Sequence, residues 1–126
     1  MDLETLCFFD EHRNALPLYE AFLRRVLEAV PGATVRVQKT QISFGNRHMF
    51  ACVSFARVRR RAELPDPYIV VTFGLARRLD ASRVAVAVEP YPGRWTHHIL
   101  IGNVGQIDDE LMEWIREAAA FAASKR

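Results

Sequence analysis

The sequence contains little cysteine, with Cys7 and Cys52 as the only two among 126 residues. Two cysteines this far apart cannot build the dense disulfide framework of small secreted domains, and they are typical of free thiols in a reducing compartment. No apolar run approaches the ~18 residues that cross a membrane. The N-terminal segment is acidic and its apolar patch is short, which is unlike a signal peptide. We therefore expect a cytoplasmic protein without a membrane segment.

Catalytic and cofactor motifs are also missing. The sequence has no Gly-x-Ser-x-Gly, no His-Glu-x-x-His and no Cys-x-x-Cys. Lys39-Thr40 lies near a glycine turn but lacks the glycine spacing and the helix start of a P-loop. Cys52 lies between apolar residues of a predicted strand, where a buried thiol is inert. Enzyme is therefore the least supported class, although distant residues could still assemble a catalytic site, and we expect no cofactor.

The composition is that of an ordinary globular protein. Half of the residues are apolar and a quarter are charged. A chain of this length buries enough surface to fold without disulfides or a structural metal. We find no repeat and no linker, so we predict a single domain over residues 1–126.

Helical periodicity is found at the two ends of the chain. Apolar residues recur every three or four positions over 15–30, after a predicted N-cap at Asn14. Residues 3–9 are compatible with a short additional turn. A second helix is predicted after Asp108, an N-cap that is followed by acidic residues and by an apolar stripe containing Trp114.

The middle of the chain changes to a period of two, which predicts strands. Gly45-Asn46 is expected to form a hairpin turn with positive φ, followed by a strand over 48–56 with Met49 on its core face. Further strands are predicted from Tyr68 to Phe73, from Val84 to Val88 with Pro90 closing the strand, and from Trp95 to Ile101. Because short turns join successive strands, the pattern predicts an α+β fold with a mainly antiparallel sheet of five or six strands, an N-terminal helix and a C-terminal helix.

Two segments carry a resemblance to a known family. One is Arg36-Val37-Gln38-Lys39-Thr40-Gln41-Ile42-Ser43-Phe44, followed by Phe50-Ala51. The other is Trp95-Thr96-His97-His98-Ile99, followed by the acidic cap and Leu111-Met112-Glu113-Trp114-Ile115-Arg116-Glu117-Ala118. Over about residues 16–123 the chain resembles a bacterial family of unknown function, DUF-5655. The resemblance implies the architecture and carries no activity.

Positive charge is concentrated in one block. Residues 31–62 contain seven basic residues and no acidic one, whereas both ends of the chain are net acidic. A hairpin that bears Lys39, Arg47 and His48 could bind phosphates of a nucleic acid or of an anionic small molecule. The alternative is that these side chains are the solvated members of alternating strands and balance the acidic helices.

His97 and His98 are the second candidate feature. Adjacent strand residues point to opposite faces, so His97 shares a face with Trp95 and His98 does not. Metal ligands must converge on one point, so a metal would need a further ligand such as His48 or Cys52. We assign these histidines a structural or hydrogen-bonding role before a metal role, and we assign no metal ligand.

These observations favour a domain that binds an anionic ligand or nucleic-acid phosphate near the basic hairpin. The alternative is a protein-interaction or structural module, in which a sheet edge or face pairs with a partner or with a second copy. A metal-binding or enzymatic role comes third. The candidate ligand-binding residues are Lys39, Thr40, Arg47, His48, Trp95, His97 and His98.

Overall fold

The structure is a computed structural model that describes residues 1–125. Six strands form one sheet in the order β1-β2-β3-β4-β6-β5, and each neighbouring pair is antiparallel. The helices are α1 Leu3–Phe8, α2 Leu16–Ala29 and α3 Asp109–Ala123. The strands are β1 Thr34–Val37, β2 Gln41–Gly45, β3 Met49–Ser54, β4 Ile69–Leu75, β5 Val84–Tyr91 and β6 Arg94–Ile101. The predicted α+β class is confirmed, as is the short N-terminal helix.

None of the helices within residues 1–125 has the length and apolar character needed to cross a membrane.

The helices pack on one face of the sheet, which we call the helix face. Phe22 of α2 contacts Phe44 of β2 edge to face, with ring centroids 5.5 Å apart. Trp114 of α3 stacks on Phe73 of β4 at 6.2 Å. Helix-face residues of β2, β3 and β4 are almost fully buried and form one apolar core with α2 and α3, whereas Val35 of the edge strand β1 is 38% exposed. Burial of this face is the main term that stabilises the fold.

The opposite face, which we call the far face, is more polar. The strand register places one residue from each strand in a row that crosses the whole sheet. In order from β1 to β5 the row is Arg36, Ser43, Cys52, Thr72, His98 and Val86. Polar side chains are tolerated here because the helices do not cover them.

The predicted N-cap of α2 is wrong. The helix begins after Ala15, which makes no side-chain cap, and a short 3₁₀ turn over Arg13–Ala15 leads into it. The Asn14 amide instead donates to Asp66 Oδ1 at 2.7 Å. The side chain that was predicted to cap the helix therefore makes a long-range hydrogen bond instead. The Asp108 N-cap of α3 is confirmed, since its carboxylate accepts from the Leu111 N–H at 3.0 Å.

The predicted positive-φ turn at Gly45-Asn46 is also wrong. Neither residue has positive φ, and β2 and β3 are joined by a three-residue loop. The Asn46 side chain stabilises this loop, because it accepts from the His48 N–H at 3.2 Å and donates to Ala119 O of α3 at 2.9 Å. A register shift at Gly45 turns Met49 away from the core, so its side chain is 53% exposed.

The strand predicted to end at Pro90 continues to Tyr91. Pro90 is tolerated there because β5 is an edge strand and the missing N–H can face solvent.

We expect Trp114→Ala to lower the free energy of unfolding by about 3–5 kcal/mol, because it leaves a cavity between α3 and the sheet. Denaturant unfolding measures this loss. The neighbouring Glu113→Ala is a matched control on the exposed side of α3, and it should change stability by less than about 0.5 kcal/mol. Equal stability of the two variants would contradict this packing.

Candidate functional site

The structure distributes the seven candidate residues over several surfaces. Lys39 and Thr40 are exposed in the β1–β2 turn, whereas Arg47 and His48 belong to the β2–β3 loop. Since β2 has five residues and separates the two turns, they lie roughly 17 Å apart. The two pairs therefore do not form one site.

His97 lies in the core on the helix face. Its side chain is 0% exposed, and its ring stacks on Phe73 at 5.3 Å. The Nε2 atom accepts from the Leu79 N–H at 3.0 Å, which fixes the β4–β5 connection to β6. Trp95 shares this face, near the same end of β6, and contacts the Arg78 guanidinium. Neither side chain lines the cleft described below.

His98 lies on the far face, opposite to His97, as the alternation of strand residues predicts for two neighbours. Its Nδ1 is 2.8 Å from the Thr72 hydroxyl, and burial lowers its pKa. Thr72 in turn stands beside Cys52 in the strand register. Burial is the largest influence on the Cys52 thiol and raises its pKa, which disfavours the thiolate that a nucleophilic cysteine needs. Within this row Thr72 and His98 are joined by a hydrogen bond, and the Cys52 thiol is not activated as a nucleophile.

Arg47 and His48 line a cleft on the far face of β1 and β2, which we call the basic cleft. Its volume is about 450 Å³, within the range of small-molecule sites. Arg36 of β1 is the third basic residue of the lining, and no lining residue is acidic. The polar lining also includes Thr34, Gln38, Gln41, Ser43 and Asn46.

The floor of the basic cleft is an ordered hydrogen-bond network. Gln41 Nε2 donates to Ser43 Oγ at 2.9 Å, and the Ser43 hydroxyl donates to Gln38 Oε1 at 2.7 Å. The Gln41 amide also approaches Met49 Sδ at 3.5 Å. These side chains are held by one another, so their positions do not have to be ordered when a ligand arrives.

His48 has an unmet hydrogen-bonding capacity. Its Nε2 is buried and has no hydrogen-bond partner among residues 1–125. A buried polar atom without a partner is uncommon and costs about 1–3 kcal/mol.

The acidic helices obtain their counterions from outside the basic block. Arg25 pairs with Asp109, Arg77 with Glu117, and Arg83 with both Asp108 and Glu110. Within residues 31–62, only Arg60 forms an ion pair in the described part of the chain, and its partner is the nearby Glu63. The alternative that the basic block balances the acidic helices therefore finds no support in the side-chain contacts.

A metal centre has no ready set of ligands in the described chain. Over residues 1–125 no three side chains of His, Cys, Asp or Glu come together. The two adjacent histidines face opposite sides of the sheet. His48 belongs to the β2–β3 loop and lies apart from both.

The candidate residues predicted from the sequence do not include the uncharged residues that line the basic cleft. Gln38, Gln41 and Ser43 are the polar residues of two strands that share the parity of Arg36. Strand parity alone could have placed them on one face. Their position next to Arg47 depends on the β2–β3 register, which the sequence pattern did not specify.

His97 makes stability depend on pH. Burial is the main cause that lowers its pKa in the folded state, while nearby Arg77 and Glu117 act in opposite directions. The unfolded chain therefore binds a proton below about pH 6.5 that the folded chain resists, and stability falls as the pH drops through that range. His97→Gln keeps an acceptor for the Leu79 N–H and cannot titrate.

We expect the unfolding free energies of wild type and His97→Gln to converge as the pH falls from about 7.5 to about 5. Denaturant unfolding at a series of pH values tests this. A difference that stays constant over that range would show that His97 is not held neutral by burial.

Comparison with known proteins gives one match. No curated protein and no solved structure matches the chain. Residues 7–122 match a family model described as "Domain of unknown function (DUF5655)". The match covers both segments that carried the resemblance and nearly all of the fold. The chain belongs to this family.

Proposed function

We propose that this domain binds a small anion that carries a phosphate group, in the basic cleft. The observation that carries the proposal is the combination of Arg36 and Arg47 in one cleft without an acidic residue. Neither guanidinium forms an ion pair with any residue from 1 to 125. Both can therefore bind a ligand without first releasing a protein carboxylate.

The types of donor in the cleft suit phosphate. A guanidinium presents parallel N–H groups that bind two phosphate oxygens at once. The Gln38 side chain accepts at Oε1 from Gln41 and Ser43, and its N–H groups add neutral donors on this ordered floor. An anion of this kind would thus meet both charge and directional donors, and charge-assisted bonds are the stronger class.

The dimensions of the cleft favour a small molecule over a nucleic-acid strand. A strand needs a groove that follows its backbone over several nucleotides. The volume of about 450 Å³ is lined by β1, β2 and the β2–β3 loop, with Gln38 and Met49 at its borders. Lys39 and Thr40, at the other end of β2, lie outside its lining.

We expect inorganic phosphate or pyrophosphate to bind the wild-type protein at low salt, measured by calorimetry and by NMR shifts at the basic cleft. Arg36→Gln and Arg47→Gln should each weaken binding by about tenfold or more, because each removes a charge-assisted contact of ~1.5–3 kcal/mol. Lys39→Gln tests whether the β1–β2 turn contributes, and it should leave the affinity nearly unchanged.

Arg24→Gln is the matched control, since it removes an exposed arginine of α2 that lies outside the cleft. The proposal fails if phosphate does not bind at low salt, or if Arg24→Gln weakens binding as much as Arg36→Gln does. A short single-stranded oligonucleotide distinguishes the nucleic-acid alternative. An affinity for the oligonucleotide far above the affinity for phosphate would identify a strand as the ligand. Its logarithm should then fall with the logarithm of the salt concentration, with a slope of about 0.7 per phosphate contacted.

A second candidate function, self-association through α1, rests on a different surface. Leu3 and Leu6 of α1 are apolar but 76% and 45% exposed. Leu3 and Cys7 line two mainly apolar clefts, of about 390 and 440 Å³, on either side of the helix. A ridge flanked by grooves is self-complementary, which is the requirement for a two-fold dimer. Arg13 and Glu4 at the rims offer opposite charges to a second copy.

We expect the wild-type chain to dimerise reversibly in sedimentation experiments and Leu3→Glu to stay monomeric at the same concentration. Val104→Glu is the control, because Val104 is also exposed, at 57%, but lies beyond β6 and away from α1. Monomeric behaviour of the wild type at all accessible concentrations would exclude this candidate.

A further inference from the structure

A second cleft lies at the other end of β3, where the chain leaves the sheet. Its volume is about 540 Å³. Its lining combines three aromatic rings, His12, Phe55 and Tyr68, with two arginines, Arg57 and Arg61. We call it the aromatic cleft. It shares no lining residue with the basic cleft.

The three rings form one packed cluster. His12 stacks on Phe55 with centroids 3.9 Å apart and nearly parallel planes. Tyr68 stands edge-on to Phe55 at 5.5 Å and to His12 at 6.2 Å. All three side chains are partly exposed, so the cluster presents aromatic surface to the cleft. Such surface binds planar rings, because every aromatic ligand has a face that can stack.

The arginines supply positive charge next to this surface. Arg57 and Arg61 are both exposed, and neither forms an ion pair in the described chain. Asp66 is the one acidic residue of the lining, and its Oδ1 already accepts from Asn14 at 2.7 Å. That bond uses one carboxylate oxygen and leaves the other able to accept from an N–H of a ligand.

The walls of the aromatic cleft are fixed by contacts outside it. Arg59 donates to Val58 O at 3.0 Å and to Ala85 O of β5 at 2.8 Å, which ties the β3–β4 connection to the far edge of the sheet. Pro65 packs so closely on Gly102 that a Cβ at Gly102 would lie 2.9 Å from its ring. The Asn14–Asp66 bond joins the connection to the α1–α2 segment. A cleft held from three sides is preorganised.

We propose that the aromatic cleft binds a planar aromatic ring that carries a phosphate, the chemistry of a nucleoside monophosphate. The ring stacks on the His12, Phe55 and Tyr68 cluster, and an N–H of its edge donates to Asp66. The phosphate binds Arg57 and Arg61. This combination requires both parts of the ligand, because a bare phosphate lacks stacking and a nucleoside lacks the charge.

AMP is the probe for this site, in an NMR titration of the whole chain. We expect saturable binding with ring-current shifts at Tyr68 and His12. Adenosine and ribose 5-phosphate should each bind at least about tenfold more weakly, because each lacks one of the two contacts. A single-stranded oligonucleotide with a 5′ phosphate distinguishes a free nucleotide from a strand end as the source of this chemistry.

Two double variants separate this site from the basic cleft. Arg57→Gln with Arg61→Gln should weaken AMP binding by about tenfold or more, and the variant should keep its fold because both side chains are exposed. Arg36→Gln with Arg47→Gln removes the phosphate contacts of the basic cleft, so in this variant the ring-current shifts at Tyr68 and His12 report the aromatic cleft alone. Arg24→Gln with Arg94→Gln is the matched control for the loss of charge, since both arginines are exposed and lie outside both clefts, and it should leave these shifts nearly unchanged. Tyr68→Leu should weaken AMP and leave ribose 5-phosphate unaffected.

The proposal is overturned if AMP gives no saturable shifts at Tyr68 and His12 at millimolar concentration, or if ribose 5-phosphate shifts these residues with the same affinity as AMP. It is also overturned if AMP binding is lost in the Arg36 and Arg47 variant and retained in the Arg57 and Arg61 variant. That last result would place the AMP phosphate in the basic cleft, and so it would support the proposed function while rejecting this second site.

Discussion

The packing of α2 and α3 on one face of the sheet constrains every side chain of the six strands. Alternate residues must enter the core, and their neighbours are left for the far face. The adjacent histidines of β6 show the consequence. His97 is fully buried and holds the Leu79 N–H, whereas His98 bonds to Thr72 on the other side. Two residues of one type therefore have unrelated roles, and the basic cleft is built from side chains that the core does not use.

The arginines also have two separate roles, since some pair with the acidic residues of α3 and others form no ion pair in the described part of the chain. Arg77 binds Glu117 with two hydrogen bonds, and Arg83 binds both Asp108 and Glu110 at the start of α3. These pairs satisfy the acids around the C-terminal helix and join it to the β4–β5 connection. Exposed pairs of this kind contribute little stability. Because the acids of α3 pair with arginines from other elements, Arg36, Arg47, Arg57 and Arg61 keep guanidinium groups that are accessible to ligands.

Local patterns predicted the parts of the fold that depend on neighbours in sequence. The Asp108 cap and the opposite orientations of His97 and His98 follow from helix and strand geometry within a few residues. Met49 could not be placed in this way, because the register shift at Gly45 arises from pairing between two strands. The same limit applies to the clefts. Their lining residues are separated by turns or by whole elements, as His12 and Phe55 are, and only tertiary packing brings them together.

Arg47 of the basic cleft and Arg57 of the aromatic cleft lie beyond opposite ends of β3, and this arrangement bears on the kind of ligand. The strand spans roughly 20 Å and carries no basic residue between its ends. A phosphate backbone that ran along β3 from Arg47 to Arg57 would meet no basic side chain of that strand. Each end is fixed separately, by Asn46 on Ala119 and by Asn14 on Asp66. Two clefts that are fixed separately, each with its own pair of arginines, favour discrete small ligands over one continuous strand of nucleic acid, even though the same basic block supplies the charge for both.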